Sequence, residues 1–160
     1  MAIITLNNNS LSSVTALPAG VGGKVLQVVH SSYGTVTSTS GTSYVATGLA
    51  ASITPSSTSN KIAIVFSVSG VFTQATTTAV NIALYRDSTE LFVPQVFVGY
   101  NTSSTDNQDV VSGSWLDSPS STSAISYNLK FKRQSGSTAV SVQQNDSKST
   151  ITLMEIEAWL

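Results

Sequence analysis

The sequence has no cysteine, one histidine, four prolines and two methionines in 160 residues. The missing thiols exclude disulfide staples and thiolate metal sites, and a lone imidazole excludes a histidine-cluster metal centre. Charge is almost as scarce: Lys, Arg, Asp and Glu make up 9% of the chain, where a soluble domain carries about a quarter. The net charge is -1 with a pI near 5.6, so there is no basic footprint for phosphate backbones or anionic lipid. No run approaches the roughly 18 apolar residues of a membrane-spanning helix, and MAIITLNNNS lacks the positive region of a secretory signal. No nucleic acid, membrane insertion, cofactor or resident metal is expected.

What fills the chain instead is hydroxyl: 29 serines and 20 threonines, beside 41% hydrophobic residues. Because the apolar residues come in patterned runs, a disordered Ser/Thr tract is excluded. The length suits one domain burying about two-thirds of its unfolded surface.

The first ionisable side chain is Lys24. Residues 1–23 divide into a short apolar strand, Ala2 to Leu6, an Asn-rich turn, and a helical turn or two where Leu11, Val14 and Leu17 recur until Pro18. Gly20, Gly22 and Gly23 then form a joint. Two readings stand, a frayed terminus or an arm that docks onto another subunit. An uncharged, partly apolar arm is a liability in a monomer, which favours docking through Ile3, Ile4, Leu6, Leu11, Val14 and Leu17.

From Lys24 the period is two. Leu26, Val28 and His30 share one face; Ile62, Ile64, Phe66 and Val68 another; Val80, Ile82 and Leu84 a third; Ile125, Tyr127, Leu129 and Phe131 a fourth. Gly48 breaks one strand and Gly113 interrupts another, while Pro94 marks an edge or a bulge. Asp87-Ser88-Thr89 makes a turn, and Gln134 to Ser137 reads as a hairpin turn. Eight to ten short strands without an amphipathic helix predict an all-β antiparallel sandwich of jelly-roll type over residues 24–160, behind the 1–23 arm. Threonine suits its pleated surface and serine its turns. Such a surface stays wet without charge, but lacks the charged gatekeepers that keep strand edges apart, so oligomerisation is the simplest protection.

The last strand supports that expectation. Ile151, Leu153, Glu155, Glu157 and Trp159 alternate with Thr152, Met154, Ile156, Ala158 and Leu160, so both faces are largely apolar. A strand apolar on both sides is buried on both. One side faces the core; the other faces a neighbouring chain or is covered by the chain's own loops. Leu153, Met154, Ile156, Trp159 and Leu160 are the interface candidates, with Glu155 and Glu157 expected to be solvated or paired with a partner's cations.

Catalytic parts are few. GVGGKV fails as a phosphate loop because Pro18 stands where the first glycine belongs and Val25 follows Lys24. His30 has no nucleophile elbow to serve. Asp106 and Asp109 crowd one loop without the alternation or glycine of a calcium loop, and read as a solvated turn. Lys130, Lys132 and Arg133 are the one basic cluster, too small for a nucleic-acid groove. Tyr33, Tyr100 and Asn101 lie with Asp106 and Asp109 in or near polar loops, the mixture a sugar- or protein-binding loop uses; Trp115 is assigned to packing. The sequons at Asn8, Asn101 and Asn145 arise easily in a Ser-rich chain.

GGKVLQVV (Gly22 to Val29), TSYVATGLAASITPSSTSNKI (Thr42 to Ile62), STITLMEIEAWL (Ser149 to Leu160) and the opening MAIITLNNNSLSSVTALPAG together resemble small tail-fibre-like virion proteins of tailed bacteriophages of marine or cyanobacterial type. Residues 73–148 match only in style, and no catalytic or binding residue carries over. The resemblance implies a trimeric jelly-roll module, similar to complement-globular-head and tumour-necrosis-factor folds. The expected function is therefore a non-enzymatic virion protein: a homotrimeric fibre or spike, anchored through its arm to another phage structural protein, whose loops meet host surface glycans. A capsid decoration protein without receptor role is the alternative. A polysaccharide depolymerase is disfavoured by the short length and the lack of a carboxylate-rich groove.

Overall fold

The computed structural model describes residues 24–103 and 105–158. The arm residues Ile3, Ile4, Leu6, Leu11, Val14 and Leu17, with Trp159 and Leu160, lie outside them. Ten strands and no helix occur among the described residues. They are β1 (Val25–Tyr33), β2 (Thr37–Thr39), β3 (Val45–Ile53), β4 (Lys61–Thr73), β5 (Ala79–Arg86), β6 (Thr89–Val98), β7 (Asn107–Asp117), β8 (Ile125–Ser135), β9 (Val140–Val142) and β10 (Ser149–Ile156).

Set the short β2 and β9 aside, and the long strands nest. The first pairs with the last (β1·β10), the next with the one before last (β3·β8), then β4 with β7, and the innermost pair β5·β6 is a simple hairpin. All these pairings are antiparallel. Cross-pairing of β10 with β4 and of β8 with β5 joins them into two sheets, β1–β10–β4–β7 and β3–β8–β5–β6. A long antiparallel hairpin folded over into two facing four-strand sheets is a jelly roll. The period-two residues meet between the sheets: Ile62, Ile64, Phe66 and Val68 of β4 pack with Val80, Ile82, Leu84, Tyr127, Leu129, Phe131, Ile151 and Leu153.

The strand-breaking signals resolve in different ways. Pro94 lies on β6, an edge strand whose register with β5 shifts between Gln95 and Phe92, so both of its expected roles hold. Gly113 does not interrupt β7: it pairs with Phe66, and a Cβ there would stand 2.7 Å from the Phe66 ring. The glycine makes room for a core aromatic inside a continuous strand. Gln134 to Ser137 is not a hairpin turn either, because β8 belongs to one sheet and β9 to the other. The segment is a corner between layers. Tyr33 is no loop residue; its ring lies over Gly48, whose φ of +89° forms the β3 irregularity.

Two expectations for the last strand also change. Leu153 points into the chain's own core, so it leaves the set of interface candidates. Glu155 is buried, neither solvated nor paired with a cation. Its carboxylate accepts from Gln27 Nε2 (2.6 Å), Asn60 Nδ2 (2.6 Å), and the Ser56 amide and hydroxyl (both 2.7 Å). Burial alone would raise its pKa, but these donors hold it at about 2. Nearby in the register, Asp117 accepts from Arg86 at 2.9 Å and from the Tyr127 hydroxyl at 2.7 Å. Burial, followed by that hydrogen bond to Asp117, pushes the Tyr127 phenol far above its ordinary range.

Candidate functional site

The ladder register fixes what each face shows. On the outer face of β1–β10–β4–β7, Val28, Met154, Ala63 and Leu116 line up across all four strands. The next row is His30, Thr152, Val65 and Ser114, and the third is Ser32, Thr150, Ser67 and Ser112. At the near corner Ile156 pairs with Lys61 on β4 and with Val25 on β1. Val28 is 59% exposed, Leu116 53% and Val65 48%, so a strip that alternation alone would make polar is apolar and open. Four of its polar members bond in pairs: His30 Nδ1 lies 3.0 Å from Thr152 Oγ1, and Ser112 Oγ donates to Ser67 Oγ at 3.2 Å.

The outer face of β3–β8–β5–β6 is charged and aromatic. Lys130 Nζ sits 4.0 Å from the Tyr85 ring centre and Lys132 Nζ 4.7 Å from that of Tyr44. The two tyrosines meet edge to face, and Tyr85 donates to Glu90 at 2.9 Å. Burial and then that hydrogen bond lift the Tyr85 phenol to about 12; burial and the Glu90 charge raise Tyr44. The two lysines of the basic cluster are thus spent on aromatic rings of the same chain.

The two ends of the sandwich also differ. Lys24, which carries residues 1–23, accepts a backbone bond from Glu157 at 2.9 Å, and the register puts both beside Lys61 at the start of β4. The β6–β7 connection leaves from the other end, where Asn107 pairs with Thr73. β4 has 13 residues, so about 40 Å separates the two ends.

At that far end is a cleft of about 380 Å³, lined by Gln95, Phe97, Val98, Gly99, Tyr100, Asn101, Asn107, Asp109 and Val110. Three donors hold its floor: Thr73 Oγ1, Asn101 Nδ2 and Asn107 Nδ2 all reach the Gly99 carbonyl at 3.2–3.3 Å. Gly99 has a φ of +75°, and a Cβ there would strike Thr73 at 2.9 Å. Phe97 and Tyr100 stand half exposed with ring centres 5.8 Å apart, edge to face.

No protein-family model and no curated protein matches the chain. Among solved structures, the infectious bursal disease virus VP2 subviral particle is similar over 84% of this chain at 14% identity, with a TM-score of 0.42. The structure of the Gx strain of that virus matches over the same share at 14% identity and a TM-score of 0.39. The chain spans 39% of the length of each.

Of the loop residues expected from sequence, the fold brings Tyr100, Asn101 and Asp109 into the cleft. Asp106 stays exposed on the same connection, at a φ of +58°. Tyr33 joins the packing, and the Ser118 to Ser123 loop lies at the opposite end, beyond Asp117. Among the described residues Asp109 is the one carboxylate lining the cleft. Among the described residues no three His, Asp or Glu groups gather to hold a metal ion. Met154 and Ile156 do share an outward face, and the register adds Val28, Ala63 and Leu116 to the row of Met154. The outward-facing apolar residues of KVLQVVH and SGSWLD were the available signal. Trp115 stacks on Phe92 at 5.1 Å, as a packing residue should.

Proposed function

We propose that the chain is a non-enzymatic structural protein of a bacteriophage virion, a homotrimeric fibre- or spike-like appendage. Residues 1–23 anchor it to another virion protein, and the jelly roll projects from that anchor. The sequence resemblance supports the class. The observation that carries the appendage is the polarity of the fold: residue 24 leaves one end, beside Lys61, and the aromatic cleft opens at the other, about 40 Å away. The uncharged rows themselves, with Met154 and Ile156, are the surface offered to neighbouring copies. An exposed apolar strip of this kind marks an association surface.

Two measurements test this. Light scattering of the purified chain should give three times its 16.7 kDa mass; a monomer at micromolar concentration overturns the trimer. Removing residues 1–23 should leave the β-domain folded and abolish incorporation into particles; a truncated chain that still assembles overturns the anchor.

The second reading is a head decoration protein. It is favoured by the uncharged rows lying along the long side of the sandwich rather than at its end, a shape suited to lying flat on a shell. Quantitative mass spectrometry of purified virions separates the two: tens of copies for a fibre, hundreds for a decoration.

A further inference from the structure

Anchoring and assembly leave the cleft between β6 and β7 without a role, yet its backbone is strained in a way that neither requires. Phe97 has a φ of +58°, a conformation that costs a bulky L-residue about 1–2 kcal/mol. Packing repays little of it, since Phe97 is 47% exposed and its ring meets only the half-exposed Tyr100 edge to face. The strain is held by a buried neighbour: Asn81 Oδ1 accepts the Phe97 amide at 3.0 Å, and its own Nδ2 donates to Gln134 at 2.8 Å. A buried amide on β5 therefore maintains a turn whose outcome is an aromatic ring facing solvent. Strained residues fixed in this way cluster at binding sites.

The turn continues to Tyr100, whose amide donates to the Phe97 carbonyl at 3.3 Å, and the second ring joins the first. Asp109 lines the same cleft and makes no ion pair among the described residues, and no Lys or Arg lines it. A pyranose ring presents an apolar C–H face to stack on an aromatic and a rim of hydroxyls to donate to a carboxylate. An acidic sugar, a phosphate or a nucleotide would meet Asp109 without a countercharge. The geometry points to the β6–β7 cleft as a binding site for a neutral oligosaccharide, with Phe97 and Tyr100 as the stacking platform and Asp109 as hydroxyl acceptor. The inference rests on the appendage reading only for the source of the sugar, a host surface; binding by the isolated protein is independent of it.

The test is saturation-transfer NMR on the full chain with three probes: maltohexaose, cellohexaose and a hexamer of polygalacturonate. Transfer to at least one neutral hexamer and none to the uronate is expected. Phe97→Gly and Tyr100→Ala should each weaken that binding about tenfold. Phe97→Gly should also leave the melting temperature unchanged or raise it, because glycine accepts the backbone conformation. A ring with a merely structural role predicts the opposite, a lower melting temperature. No transfer to either neutral hexamer overturns the proposal, as does transfer that survives both variants or favours the uronate. Variants that block adsorption of the phage without any sugar transfer overturn it in favour of a protein receptor. Light scattering on the same samples reads the trimer separately, so failure of the cleft and failure of the assembly are distinguishable.

Discussion

The outer face of β3–β8–β5–β6 lays Lys130 and Lys132 over Tyr85 and Tyr44, with Glu90 taking the Tyr85 proton donor. The outer face of β1–β10–β4–β7 sets Val28, Met154, Ala63 and Leu116 in one row and hydroxyls in another. Both faces hold apolar surface. On the first, lysine stems and tyrosine rings cover one another and the charges keep the face wet. On the second, no described residue covers the strip, and two polar pairs, His30 with Thr152 and Ser112 with Ser67, bond within it. So the low charge of the sequence is uneven in space: the three rows from Val28 to Ser112 carry none, and Lys61 stands only at their corner. The proposed association of copies rests on that unevenness more than on the total.

The largest effect expected from this contrast is on assembly. Val28→Asp combined with Met154→Asp puts two carboxylates in the centre of the uncharged row, and burying them unpaired costs several kcal/mol. The proposed trimer should dissociate to single chains, read as a threefold fall in mass by light scattering. Lys130→Glu on the opposite face should leave the mass unchanged. Equal behaviour of the two variants would remove the distinction between the faces.

The next effect concerns Glu155, which fixes the strand carrying that row. Glu155→Ala strands four donors, from Gln27, Asn60 and Ser56, and should cost about 3 kcal/mol in urea unfolding. Acid should act at the same place. The folded-state pKa of about 2 lies below the ordinary 4.5, so this stabilisation is complete above about pH 4.5 and is lost as pH falls towards 2. The Ala variant should lack that part of the acid slope while retaining the rest.

How much of this was legible depended on whether the signal was local. The core was, because the period-two residues of β4, β5 and β8 are local patterns that a pleated strand converts directly into an inner face. The jelly-roll class followed from strand number. Glu155 was misread because its donors come from positions 27, 56 and 60, which no local window contains. Gly113 was misread as a break because the ring it accommodates, Phe66, is a cross-strand partner. The cleft was half legible. Polar loop composition pointed to Tyr100, Asn101 and Asp109, but Phe97 gave no cue, since its left-handed backbone is imposed by Asn81 and runs against its own preference.

The smallest effect sharpens the wet side of the comparison. Lys130→Met keeps most of the stem but removes the ammonium 4.0 Å above the Tyr85 ring, and should cost about 0.5–1 kcal/mol. Lys132→Met removes one 4.7 Å above Tyr44 and should cost less, because the attraction falls with distance. The pair should sum to less than the separate losses, since Tyr44 and Tyr85 are in contact and share one environment. Raising the salt should not abolish the Lys130 loss, because the ammonium faces a ring that is itself buried by its neighbours. If salt erases the difference between wild type and Lys130→Met, the lysines are solvated charges that happen to lie over tyrosines. The charged face would then stay wet by solvation alone, and covering of its aromatic rings by the lysines would no longer separate it from the uncharged one.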